Sequence, residues 1–129
     1  MIFRKIYIFI LVSISFSSLA DEQVYLTCNC TRAINSIITE GGCWDEEILI
    51  TIDKKNKKLE WGSLEYPNLR QWMDYEIDGN NFKGVSYRTS YQINRLTLVA
   101  DSKYKCTGKN PECKGAHEFY SCKIINRSF

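Results

Sequence analysis

The pattern of apolar and polar positions from Trp72 to Val99 predicts three β-strands joined by tight turns. Phe82–Tyr87 and Tyr91–Val99 are rich in aromatic and β-branched residues, which favour a pleated, half-buried surface. Residues 78–81 read Asp-Gly-Asn-Asn, and these residue types favour a hairpin turn. A second turn is predicted at residues 88–90, although neither Gly nor Pro occurs there. The stretch therefore predicts an antiparallel meander.

The residues just before this meander fit two structures. Pro67 suits the first turn of a helix, and Leu69, Trp72 and Met73 have the i, i+3, i+4 spacing of a helical face. The same segment can also continue the strand pattern backwards. We expect a helix or loop before Tyr75 and a strand from that residue onward, and the sequence leaves residues 67–74 open between helix and strand.

The remaining chain supplies further strands and one short helix. Gln23–Cys30, Glu47–Asp53 and Phe119–Ile125 read as strands, and residues 59–61 form the second arm of a hairpin. The lysine-rich residues 54–58 form its turn, with Asn56 expected at positive φ. Residues 62–70 form a loop that can enclose a helical turn. Ile34, Ile37 and Ile38 repeat at helical spacing between Thr31 and Gly41, which predicts a helix over residues 32–39. The predicted fold is mainly β: about seven strands in an antiparallel meander that closes to a small barrel or sandwich, with one short N-terminal helix and disulfide bridges.

The N-terminus has the pattern of a secretory signal peptide. Arg4 and Lys5 precede an apolar run from Ile6 to Phe16, and small residues lead to Ala20. The apolar run is shorter than the roughly 20 residues that a membrane-spanning helix needs. We therefore predict a signal peptide at residues 1–20 and one domain at residues 21–129 that is periplasmic or secreted and has no membrane span.

Six cysteines in an exported chain of this size predict three disulfide bonds. Cys106 and Cys113 flank a compact polar loop and form the first expected pair. Cys30 and Cys43 bracket the predicted helix, which leaves Cys28 and Cys122 to join the first and last strands. Zinc is the rival interpretation, but these spacings and the single histidine do not form a zinc-binding pattern. We expect no metal and no cofactor.

The charge balance argues against two classes of partner. The 17 basic residues include Arg4 and Lys5, so the chain without its signal peptide has 15 basic and 15 acidic residues. Nucleic-acid binding and most membrane-surface binding require a basic excess. The sequence therefore predicts no nucleic-acid partner and leaves a protein partner as the expectation.

Two groups of side chains are candidates for catalysis. Asp45, Glu46 and Glu47 are consecutive carboxylates, and two carboxylates can act as general acid and base when their pKa values differ. Glu46 and Glu47, as neighbours on a strand, are predicted to point to opposite faces. His117 can act as a general base, but no serine lies in a nucleophile elbow. Solvated loop positions explain all four residues better, so we predict no catalytic residues and a protein that is not an enzyme.

The candidate binding residues are aromatic side chains near the long loop and lysines in the hairpin turn. Trp and Tyr are enriched at the centres of protein interfaces, which singles out Trp61, Tyr66 and Trp72. Lys55 and Lys57 could dock onto an anionic surface. The structural alternatives are that aromatic residues fill a small β core and that lysines keep a hairpin soluble.

The C-terminal third resembles a group of known sequences. Ile93-Asn94-Arg95-x-Thr97, followed by Tyr120-Ser121-Cys122 in the last strand, resembles the ending of many small exported bacterial proteins of unknown function. Leu98 stands where those chains often have glycine. The resemblance implies an antiparallel β domain. In size, signal peptide and cysteines the chain also resembles the periplasmic inhibitors of C-type lysozyme, which are small disulfide-bonded β-barrels.

Together these features predict a small exported protein with a non-catalytic binding or inhibitory function. The alternatives are a small hydrolase that uses carboxylates near Asp45 or Glu60, and a structural factor of the cell envelope.

Overall fold

The computed structural model describes residues 23–34, 42–106 and 115–125, which form eight β-strands and one short 3-10 helix. The strands are β1 (Gln23–Ile34), β2 (Glu47–Asp53), β3 (Lys58–Ser63), β4 (Gln71–Asp78), β5 (Asn81–Ser86), β6 (Thr89–Asn94), β7 (Val99–Tyr104) and β8 (Ala116–Ile125). The 3-10 helix, Pro67–Leu69, lies between β3 and β4. No helix within the described ranges is long and apolar enough to cross a membrane. The predicted signal peptide lies outside these ranges.

The sheet closes into a barrel. Each strand pairs antiparallel with the next one in sequence, and β1 also pairs antiparallel with β8. The prediction of an antiparallel, mainly β fold is confirmed, and closure decides for the barrel against the sandwich. The turns β2–β3, β4–β5 and β6–β7 lie at the end where β1 begins, which we call the turn end. The connections β3–β4 and β5–β6 lie at the opposite end, the loop end.

Alternate side chains of every strand fill the barrel, as the period of two along a strand requires. The most buried large aliphatic side chains are Leu26, Ile48, Ile50, Leu59 and Ile93, each at most 1% exposed. Burying an aliphatic side chain of this size is worth about 1.5–3 kcal/mol, so this inner layer is a main source of stability.

The structure divides the strand that was predicted from Tyr91 to Val99. β6 ends at Asn94, whose Oδ1 accepts hydrogen bonds from the backbone N–H groups of Leu96 (2.9 Å) and Thr97 (3.0 Å). An Asn side chain that bonds to the following backbone stabilises a turn instead of a strand. The prediction of one continuous strand was therefore wrong. β7 starts at Val99 and extends to Tyr104, where no separate strand was predicted, which is why eight strands occur in place of about seven.

The segment before Tyr75 contains both of the structures that its sequence allowed. Pro67–Leu69 forms one 3-10 turn, and β4 begins at Gln71. The expected helix or loop was thus wrong for residues 71–74. The reason is pairing with β3: Met73 lies opposite Leu59 and is only 6% exposed, so strand pairing and burial outweigh the local helical spacing.

The predicted helix over residues 32–39 is not found where the structure describes this segment. β1 continues through Arg32 to Ile34, after a bulge between Cys30 and Arg32. Ala33 and Ile34 pair with β8, and these long-range hydrogen bonds override the helical spacing of the isoleucines. Residues 35–39 lie outside the described ranges.

The β2–β3 turn uses a different residue at positive φ from the one expected. Lys57 has φ 52°, and Asn56 does not adopt this conformation. Asn56 is held by Asp53, which accepts hydrogen bonds from its backbone N–H (3.2 Å) and its side-chain amide (2.9 Å). Lys57, and not Asn56, is therefore the residue in the left-handed conformation that lets the β2–β3 turn reverse the chain.

The other two hairpin turns are tight. Gly79 has φ 60° as the first central residue of the predicted β4–β5 turn, a position that favours glycine. The β5–β6 turn lies at residues 87–88 in place of the predicted 88–90, and Tyr87 has φ 55°.

Two predicted disulfide bonds are confirmed. Cys28–Cys122 joins β1 to β8, the strands that close the barrel, and Cys30–Cys43 joins β1 to the segment before β2. Cys106 is also disulfide-bonded. Its predicted partner, Cys113, lies outside the described ranges.

Candidate functional site

A cavity of about 760 Å³ opens at the turn end of the barrel. Its deep walls are apolar and are formed by Leu26, Ile52, Phe82 and Ile93, which alternate inward from β1, β2, β5 and β6. Tyr75 adds an aromatic wall, with its ring edge-on to Phe82 at 5.2 Å between centroids. The volume lies within the range of about 300–1,000 Å³ typical of small-molecule sites. We call this space the first cavity.

The rim of the first cavity combines exposed apolar and basic side chains. Ile77 and Ile124 line the opening and are 59% and 52% exposed. Lys54 and Lys57 reach it from the β2–β3 turn, and Arg95 reaches it from the β6–β7 turn. Glu76 is the carboxylate among the lining residues. The described residues at the opening therefore include more basic than acidic side chains.

A packed layer separates this cavity from the loop end. Ile50, Leu59 and Ala100 are completely buried at mid-barrel, and Met73 and the Cys28–Cys122 disulfide complete the layer. None of these side chains lines either cavity. The two ends of the barrel are thus chemically separate.

A second cavity, of about 340 Å³, lies at the loop end and is aromatic and acidic. Trp61 points inward, 7% exposed, and contacts Tyr91 at 4.8 Å and Tyr120 at 5.9 Å between ring centroids. Asp45 and Glu118 line the same space. Glu118 points inward from β8 opposite Ser102 of β7, and its carboxylate accepts a hydrogen bond from a backbone N–H group at position 44.

Burial controls the electrostatics of the second cavity. Burial raises the pKa of the Asp45 carboxyl and that of the Glu118 carboxyl. For Glu118, the hydrogen bond from the Trp44 N–H lowers the pKa and the negative charge of Asp45 raises it, and burial has the largest effect. Burial and these nearby carboxylates raise the pKa of the Tyr120 hydroxyl well above its usual value. A catalytic acid and base need pKa values that are pushed apart. Burial raises both carboxyl pKa values, so the opposed shifts that would mark one carboxylate as acid and the other as base do not occur in this pair.

The other carboxylate named for the hydrolase alternative lies elsewhere. Glu60 is on the outer face of β3 and accepts a hydrogen bond from the Thr51 hydroxyl at 3.2 Å. Asp45 and Glu60 therefore do not converge on one reacting group.

An acidic groove of about 520 Å³ adjoins the second cavity on the outside of the loop end. Its walls carry two exposed aromatic side chains, Trp44 (71%) and Tyr66 (53%). Four carboxylates also line it: Asp45, Glu46, Glu47 and Glu65. Glu46 and Glu47 were predicted to point to opposite faces, but they share this groove because β2 begins only at Glu47.

His117 forms an ion-pair geometry that its sequence context did not reveal. Its Nε2 lies 2.9 Å from Asp101 Oδ2, across the β7–β8 pair on the outer surface. The imidazole packs on the Phe119 ring, with 4.1 Å between the ring centroids. The Arg32 guanidinium lies over the Phe119 ring, 4.3 Å from its centroid. This arrangement fixes the imidazole on the sheet surface.

The predicted binding residues do not form one site. Trp61 belongs to the barrel interior, whereas Tyr66 lies in the acidic groove and Trp72, 51% exposed, lies on the outer face of β4 opposite Glu60. Lys55 and Lys57 lie in the β2–β3 turn at the turn end. Of these two lysines, Lys57 is the one that lines the first cavity.

Sequence patterns missed Arg95 and Glu118 as site residues. Arg95 was noted only as part of a motif, and Glu118 lies in a segment with weak alternation. A hint for Glu118 was its position two residues before the inward Tyr120, which places both on the same face. No comparable signal places Arg95 at the same cavity as the β2–β3 turn, because that arrangement depends on barrel closure.

No group of three or more His, Cys, Asp or Glu side chains in the described part of the chain could hold a metal ion. Comparisons with family models, curated proteins and solved structures found no match for this chain. The fold and its cavities define a class of protein nonetheless: a closed eight-stranded antiparallel barrel with an apolar cavity open at one end.

Proposed function

We propose that this protein is a non-catalytic binding protein and that the first cavity is its ligand site. The observation that carries the proposal is the apolar space of about 760 Å³, open at one end of a closed barrel. Eight-stranded barrels of this size either fill their interior with side chains or hold one small ligand. Here Leu26, Ile52 and Ile93 form walls that only an apolar group would complement.

The surrounding structure favours a preformed site. The packed mid-barrel layer forms the floor, and the Cys28–Cys122 bridge fixes the two strands that close the wall. A site that needs no rearrangement loses little conformational entropy on binding. The exposed Ile77 and Ile124 at the opening extend the apolar contact toward the solvent.

The test is titration of the disulfide-bonded protein with a neutral, environment-sensitive apolar dye. We expect saturable binding of one dye per chain. Val24→Trp places a large ring at a position that lines the cavity, and it should weaken binding at least about 10-fold. Tyr25→Trp, on the opposite face of the same strand, is the matched control and should bind like the wild type. Absence of saturable binding, or equal binding by both variants, would contradict the proposal.

A protein partner is the second candidate, and the acidic groove favours it. Exposed Trp44 and Tyr66 offer aromatic anchors, and four carboxylates beside them favour a basic partner. This is the inhibitory form of the binding function, with a basic secreted enzyme as the target.

The inhibitory form is tested by adding the protein to purified basic hydrolases, with C-type lysozyme included, and measuring residual activity. Trp44→Ala with Tyr66→Ala should abolish any inhibition, whereas Tyr87→Ala, exposed on a different turn, should not. Activity that is unchanged across the panel would count against this candidate.

We also propose export to the periplasm or medium. Disulfide bonds at Cys28–Cys122 and Cys30–Cys43 support an oxidising compartment. N-terminal sequencing of the protein isolated from its source should begin at Asp21, and an intact Met1 would contradict the proposed cleavage.

A further inference from the structure

The cations at the rim of the first cavity come from opposite sides of the barrel. Eight strands form the ring in sequence order, so the β2–β3 and β6–β7 turns are four strands apart and face each other across the opening. Lys57 lines the cavity from the first turn and Arg95 from the second. A group that enters the opening therefore passes between two cationic side chains.

The charge at this rim is local and is not a property of the whole chain. The described residues that line the cavity include three cations, Lys54, Lys57 and Arg95, and one carboxylate, Glu76. Without residues 1–20, the chain has equal numbers of basic and acidic residues. Within the described ranges, Lys57 and Arg95 take part in no ion pair, whereas the nearby Lys58 and Lys83 pair with Asp74 and Asp78 on the outer face.

The two parts of the cavity therefore differ in the chemistry they complement. The walls at Leu26, Ile52 and Ile93 complement a hydrocarbon chain, and the rim complements a negative charge at one end of that chain. An ammonium head group would be repelled by the cations, and a neutral polar head group would gain less from them than an anion would. A guanidinium that meets an ionised acceptor forms stronger and shorter hydrogen bonds than with a neutral one.

We propose that the first cavity binds a single-chain amphiphile with a carboxylate head group, which lies between Lys57 and Arg95 while the alkyl chain extends to the apolar floor. This inference rests on the proposed function of the cavity as a ligand site. It adds the class of ligand and the orientation in which the ligand enters.

The experiment compares ligands of equal chain length and different head group. Decanoate, decanol and decylamine are titrated calorimetrically below their aggregation limits near neutral pH, where the carboxylate is ionised and the amine protonated. We expect decanoate to bind at least about 10-fold more tightly than decanol, and decylamine to bind more weakly than either. The advantage of decanoate should shrink when the salt concentration rises from about 0.02 M to about 0.5 M, because exposed charges are screened.

Two matched double variants locate the effect. Lys57→Gln with Arg95→Gln should reduce the ratio of decanoate to decanol affinity to about one. Lys58→Gln with Lys83→Gln removes the same charge from the outer face at the same end and should leave the ratio unchanged. A thermal melt of each variant checks that the fold is intact.

The outcomes separate the two proposals. If none of the three ligands binds, the cavity is not a ligand site and the proposed function is wrong. If decanol and decanoate bind equally to the wild type, or if both double variants lose the preference alike, the cavity still binds apolar chains but the carboxylate inference is wrong.

Discussion

At the scale of single residues, packing inside the barrel depends on a glycine whose missing side chain leaves room for a neighbour. Gly84 points inward on β5, and a Cβ atom there would lie 2.8 Å from Met73 Sδ and 3.0 Å from its Cγ. Met73 fills the space that Gly84 leaves open. Glycine in a strand usually weakens it, and here the close approach of a neighbouring side chain explains its presence.

Gly84→Val should therefore destabilise the protein by about 1–3 kcal/mol, because the added branches overpack the interior against Met73. Urea unfolding measures the change. Val85→Ala, at the neighbouring outward position that is 66% exposed, is the control and should change stability by less than about 0.5 kcal/mol. A Gly84→Val variant as stable as the wild type would show that Met73 moves away freely.

Glu118 carries a charge that its place inside the barrel disfavours. Burial raises the pKa of its carboxyl above the value in the unfolded chain. Well below the unfolded pKa, both states are protonated and the carboxyl has no effect on stability. As the pH rises through the unfolded and then the folded pKa, the folded state is penalised for ionising this group.

Glu118→Gln should consequently gain stability relative to the wild type on going from about pH 3.5 to about pH 7.5. Urea unfolding at the two pH values gives the difference. The amide oxygen keeps an acceptor for the Trp44 N–H, so the hydrogen bond is not the variable. Glu65→Gln, at an exposed position of the same end, should show little of this trend. A relative loss of stability for Glu118→Gln at the higher pH would contradict the assignment.

At the scale of elements, the turns decide how many strands the chain forms. The run from Tyr91 to Val99 was predicted as one strand because it is rich in aromatic and β-branched residues, yet Asn94 ends β6 by accepting hydrogen bonds from the backbone N–H groups of Leu96 and Thr97. Strands marked by local alternation, such as β2 and β5, were predictable. The β6–β7 turn was not predictable, because Asn94 is its only turn-forming residue and residues 95–98 contain no glycine.

Asn94→Ala should cost about 1–2 kcal/mol, because two backbone donors lose their side-chain acceptor. Asn94→Asp keeps an acceptor oxygen and should retain most of the stability. Thermal and urea unfolding of the two variants make the comparison. Equal losses in both would mean that the side chain does not hold this turn.

At the scale of the whole molecule, closure joins the first strand to the last. Cys28–Cys122 spans a sequence separation of 94 residues, and Cys30–Cys43 spans 13. The entropy that a bridge removes from the unfolded chain grows with the loop it closes. The first bridge should thus contribute more to stability than the second, although both begin on β1.

Replacing both Cys28 and Cys122 by Ala should cost about 4.7 kcal/mol, against about 3 kcal/mol for the pair Cys30 and Cys43. Urea unfolding of the two double variants tests the order. The second variant serves as the control for the loss of a cysteine pair from β1. The reverse order would show that strain or packing, and not loop closure, sets the contribution of each bridge.

Local patterns in the sequence were sufficient to predict several features of this protein. Period-two alternation marked most strands, turn-forming residues marked the hairpin at Gly79, and an even cysteine count with its spacing indicated the two bridges that the described structure confirms. Three features became evident only in the folded barrel: the continuation of β1 past Cys30, the pairing of β1 with β8, and the placement of Lys57 and Arg95 on opposite sides of one cavity. The physical reason is that these features depend on hydrogen bonds and packing between residues far apart in sequence, which no local pattern of side chains encodes.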